Sequence, residues 1–79
     1  MIIEQKQLLY EIAKWRNRKF YNEMNDHWSD DNYRFDTECC QIINKLEKEY
    51  KEQYGDLPEW EYINDVWDVI NALEKELDV

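Results

Sequence analysis

Seventy-nine residues with one glycine, one proline and a formal charge of −9 leave room for a single small domain and too little turn chemistry for a multi-stranded sheet. Glu, Lys, Leu and Gln are abundant, so the composition reads as all-α. The acid excess disfavours direct binding to nucleic acid or to an anionic membrane surface and favours basic proteins.

A core of this size supplies only ~3–5 kcal/mol unless it is efficiently built. The material is there: 15% of the residues are aromatic, and each ring buries ~150–250 Å² when it leaves water. Charge is unevenly spread, summing to +2 over residues 1–24, −4 over 25–40, zero over 41–54 and −7 over 55–79. Cys39 and Cys40 are adjacent and have no second pair, which is no disulfide framework and fits a reducing, cytoplasmic setting. The first residues lack a basic start followed by an apolar run, and no stretch approaches the ~18 apolar residues of a membrane span. Ile, Asn, Lys and Tyr are heavily used beside Gly, Ala, Arg and Pro, a bias associated with AT-rich coding DNA such as that of low-GC bacteria and their phages.

The first predicted helix covers about residues 2–24. Glu4, Gln7, Glu11, Lys14, Arg18 and Asn22 make one narrow polar ridge, while Ile2, Leu8, Leu9, Ile12, Ala13, Trp15, Phe20 and Met24 fill the main apolar face. Ile3, Tyr10 and Tyr21 widen that face beyond what one neighbouring helix covers. The helix is therefore either the centre of the bundle or the seam of a homodimer.

Asn25 to Asn32 is a run of short polar residues around His27 and Trp28 and reads as the first connection, with Ser29, Asp30 or Asp31 capping the next helix. That second helix, about 31–53, carries a clean stripe of Phe35, Cys39, Ile42, Ile43, Leu46 and Tyr50. Its outer face offers spaced ion pairs, Glu47 with Lys51 and Lys45 with Glu49, each worth ~0.2–0.5 kcal/mol. Gly55 and Pro58 punctuate the chain: the glycine suits a helix stop, the proline suits a first turn, and Asp56 or Leu57 is the expected cap.

The third helix, about 58–77, completes a small three-helix bundle that forms one domain over residues 1–79. Ile63, Val66, Ile70, Leu73 and Leu77 centre its apolar face. Trp60 and Trp67 fall on one shoulder beside Asn64 and Asn71, and beyond the asparagines runs a ridge of Glu61, Asp65, Asp68 and Glu76. At ~1.5 Å rise per residue, residues 56–78 space their carboxylates about 4 Å apart, near the ~3.4 Å phosphate interval of a nucleic-acid strand. Acidic residues near the start of the helix complement its dipole, but Glu74, Glu76 and Asp78 lie where negative charge costs ~0.3–1 kcal/mol each. Solvated faces are commonly charged and tryptophans at helical spacing commonly pack in a core. The sharper reading is an interface in which Trp60 and Trp67 anchor and the charged rim steers.

Other constellations are weaker. His27 with Asp26, Asp30 and Asp31 lacks the glycine and distant bidentate glutamate of a calcium loop, and one histidine beside two adjacent cysteines does not make a zinc site. No CxxC, Gly-rich phosphate loop or Ser-His-Asp set is present, so neither a cofactor nor catalysis is expected. Lys14, Arg16, Arg18 and Lys19 cluster among Trp15, Phe20 and Tyr21, where pairing with the chain's own acids competes with phosphate binding.

The sequence thus predicts an acidic protein-binding module whose contact residues are Trp60, Glu61, Asn64, Asp65, Trp67, Asp68, Asn71 and Glu76. The expected partner is a basic protein surface, such as that of a nuclease or other nucleic-acid-binding protein, and the expected action is inhibition of the anti-defence or host-takeover kind. The alternative is a self-associating helical module that dimerises through its first helix.

Overall fold

The computed structural model describes residues 2–25, 27–57 and 63–78, with side chains of the third helix described from Val66 onward. Three helices make a small all-α bundle: α1 (Ile3–Glu23), α2 (Asp30–Tyr54) and α3 (Ile63–Leu77). The expected start of the third helix at 58, with Trp60 and Glu61, lies outside the described residues.

The wide apolar arc of α1 is explained by its position. Both α2 and α3 pack on it, and no backbone packing joins α2 to α3 among the described residues. Leu9 and Ile12 of α1 meet Tyr50 of α2 and Leu73 of α3 in one buried cluster, flanked by Leu8, Tyr10, Leu46, Tyr54, Leu57 and Val69. Ala13 meets Val66 and Ile70 in a second. Burial of Cys39, Ile43 and Tyr50 confirms the stripe read on α2, and burial of Val66, Ile70 and Leu73 confirms that on α3.

Four residues expected on the apolar arc are instead exposed: Ile2, Ile3, Tyr21 and Met24. Ile2 and Met24 are the N-cap and C-cap residues of α1, so they stand past its packed turns. Trp15 and Phe20 are half-buried.

The direction of each helix follows from its contacts. Gln5 donates to the Tyr50 hydroxyl at 3.0 Å and Asn22 donates to the Asn32 carbonyl at 2.8 Å, so α2 returns antiparallel to α1. Lys6 pairs with Glu76 at 3.2 Å while Tyr21 meets Trp67, so α3 is antiparallel to α1 as well, and parallel to α2. Tyr54 and the first described turn of α3 therefore stand at opposite ends of α1. Leu57 lies against the buried cluster on the way.

Local chemistry sets the ends. Ser29 is the N-cap of α2: its hydroxyl accepts from the Asn32 backbone, and the Asn32 side chain accepts from the Ser29 backbone at 3.0 Å, a reciprocal capping box. The same Asn32 amide donates to Asn22 Oδ1 at 2.9 Å, which fastens the cap to α1. Gly55 ends α2 at φ +91° and ψ −150°, a conformation open to glycine alone. Asp78 follows α3 with φ +58°, the left-handed residue after the helix end.

Candidate functional site

Ion pairing begins with α1, whose cations are largely consumed by the neighbouring helices. Arg16 pairs with Glu47 of α2, and Lys19 pairs with Glu23 and with Asp36, the latter at 3.6 Å. Glu47 thus closes on Arg16 instead of the expected Lys51, because α1 brings a guanidinium to a partly buried carboxylate while Lys51 is exposed. The hydrogen bond that Lys19 donates to Glu23, then the charges of Glu23 and Asp36, hold the Lys19 ammonium above its ordinary range against the opposing effect of burial. Lys14 lies over the Tyr10 ring at 5.7 Å and Arg18 over the Trp15 ring at 4.6 Å. The basic cluster of Lys14, Arg16, Arg18 and Lys19 is thereby tied to carboxylates and rings of its own chain.

The acidic ridge is thinner than the wheel implies. Glu76 is exposed but engaged by Lys6, and Glu74 accepts from the Tyr10 hydroxyl at 3.3 Å. Asp68 and Asn71 are exposed and have no partner among the described residues. The backbone of Asn64 and Asp65 belongs to α3, while the positions of their side chains, and all of Trp60 and Glu61, lie outside the described residues.

Trp67 gives the site its shape. It is 38% exposed, and the Tyr21 ring stands against it at 6.5 Å and 78°, edge to face. Tyr21 is itself 52% exposed and meets Phe20 at 5.9 Å. Edge-to-face pairs contribute ~0.5–1.5 kcal/mol beyond burial, which favours this arrangement of the two rings. Tyr21 was not among the residues expected here. Its signals in the sequence were its place at the far edge of an apolar arc too wide for one neighbour and its position among the rings of the basic cluster.

No protein-family model, curated protein or solved structure matches this chain. The chemistry must be read from the surface itself. The indole and phenol present exposed apolar area and ring faces, with exposed Asn71 one turn on from Trp67.

Burial pushes the Cys39 thiol above its ordinary range, reinforced by Asp36, the opposite of what an activated nucleophile requires. Cys39 and Cys40 are free thiols. His27 and Trp28 are exposed in the first connection, and among the described residues no three His, Cys, Asp or Glu side chains converge as ligands for a metal.

Proposed function

We propose that this chain is a small acidic protein-binding module that docks the outer face of α3 on a basic protein surface and occludes a nucleic-acid-binding site there. The observation that carries the reading is the exposed Trp67 braced by Tyr21. A tryptophan held in place at the surface loses little freedom on binding and supplies the kind of anchor that dominates interface energetics. The charge supports the choice of partner: the chain carries −9, and most cations of α1 are spent internally. A nuclease or another nucleic-acid-binding protein offers a surface of the required sign. Encoding by a phage or mobile element, with a role against host defence, agrees with the size, the charge and the coding bias.

The second reading is a helical module that self-associates. Ile2 and Ile3 at one end of α1, with Tyr21 and Met24 at the other, are the apolar residues left over for a second copy. Light scattering at micromolar concentration addresses it, since a monomer there opposes the dimer. For the inhibitor, capture from a lysate of the source cell with salt titration compares the wild type with an Asp65→Asn, Asp68→Asn, Glu76→Gln variant. The proposal expects weaker capture and a shallower salt dependence for the variant; the same partners at equal affinity would remove the acidic-face mechanism.

A further inference from the structure

We infer that the corner between Tyr21 and Trp67 receives a guanidinium group from the basic partner; this rests on the binding reading above and adds the chemistry of the group recognised. Two ring faces of α1 carry a cation from the next turn, while Phe20, with Glu23 and Met24 at those offsets, has none among the described residues. Tyr10 has Lys14 over it from four residues on, and Trp15 has Arg18 from three residues on. Tyr21 likewise has none from its own helix, because the residues three and four further along are Met24 and Asn25. Trp67 has Ile70 and Asn71 at the same offsets. Among the described residues no cation lies over either ring.

Geometry suits the missing group. Rings crossing at 78° form a corner with faces turned in different directions, not a closed stack, and both rings are exposed. A planar guanidinium can stack on one face while its N–H groups stay free for an acceptor on the surface, and Asn71, one turn on from Trp67, is exposed. An ammonium gains the charge attraction but not the stacking. Lys14 and Arg18 already lie on their own rings, and the overall charge of −9 leaves external cations as the complementary ligands.

The test uses the full chain and three peptides of equal length, rich in arginine, lysine or citrulline, titrated by calorimetry and followed at the tryptophan indole N–H signals. The arginine peptide is expected to bind most tightly and to shift the Trp67 signal, and the citrulline peptide not to bind. Tyr21→Leu and Trp67→Leu should each weaken the arginine peptide about two- to five-fold, the factor of one exposed cation–π contact, with less effect on lysine. Tyr21→Leu alters a mostly exposed ring and keeps the test valid if Trp67→Leu unfolds, which circular dichroism reports. Equal binding of arginine and lysine peptides, or an arginine preference that survives both variants, overturns the corner while leaving a basic partner in place. An arginine preference that survives the Asp65→Asn, Asp68→Asn, Glu76→Gln variant supports the corner and removes the ridge. Binding of none of the peptides overturns both.

Discussion

Replacing Ile12 by alanine tests the packing most sharply, because Ile12 is 0% exposed and lies in the cluster where all three helices meet. Three buried carbons are lost, about 2.4 kcal/mol at ~0.8 kcal/mol per carbon, and the residual cavity raises the cost to ~3–5 kcal/mol. A chain of this length is stable by ~4–12 kcal/mol, so the loss is a large share. The melting temperature should fall by ~4–8 °C per kcal/mol, roughly 12–40 °C in all. Ile3→Ala is the control: Ile3 shares the apolar arc of α1 yet is 62% exposed, and its replacement should stay within ~0.5 kcal/mol. Urea unfolding followed by circular dichroism measures both. Comparable losses at Ile3 and Ile12 would refute the bundle and favour an extended dimer that buries the whole arc.

Further outcomes follow from particular residues. Gly55→Ala meets no atom within 4 Å, so its cost is backbone strain alone, ~1–3 kcal/mol in thermal unfolding. Ser29→Ala removes the cap of α2 and should cost ~1 kcal/mol; an effect below the error of the melt would remove the capping box from the account. Cys39→Ser buries a hydroxyl in place of a thiol that packs as a small hydrophobe and should cost ~1–3 kcal/mol, against little for half-buried Cys40→Ser, and a thiol reagent should label Cys40 first. The raised thiol of Cys39 and the raised ammonium of Lys19 favour the protonated forms in the folded state. Their stabilisation is complete below the unfolded values, about 8.5 and 10.4, and is lost as pH climbs through the raised folded ones. Melting temperatures that rise with pH across the alkaline range would contradict both.

The helices were legible because apolar residues recur at helical spacing in three blocks separated by short polar residues and by Gly55. Ser29 and Gly55 were legible because capping and left-handed geometry select those residue types. The direction of α3 was not, since a helical wheel is the same for either direction and the decisive contacts join Lys6 to Glu76 and Tyr21 to Trp67 across the sequence. The same limit applies to the site. The wheel placed Trp67 on a shoulder, but its exposure depends on where α1 ends its cover, and Tyr21 reaches it only in three dimensions. Glu76 read as a free rim charge because its partner Lys6 lies on another helix. Asp68 and Asn71 are exposed and have no partner among the described residues.

The proposed function rests on Trp67 as the anchor for a basic protein partner. Its most direct test is the affinity of the captured partner for wild type and for Trp67→Ala, with folding of the variant verified by circular dichroism. A loss of about thirty-fold or more is expected, the ~2 kcal/mol that marks an interface anchor. An affinity unchanged by the substitution would contradict it.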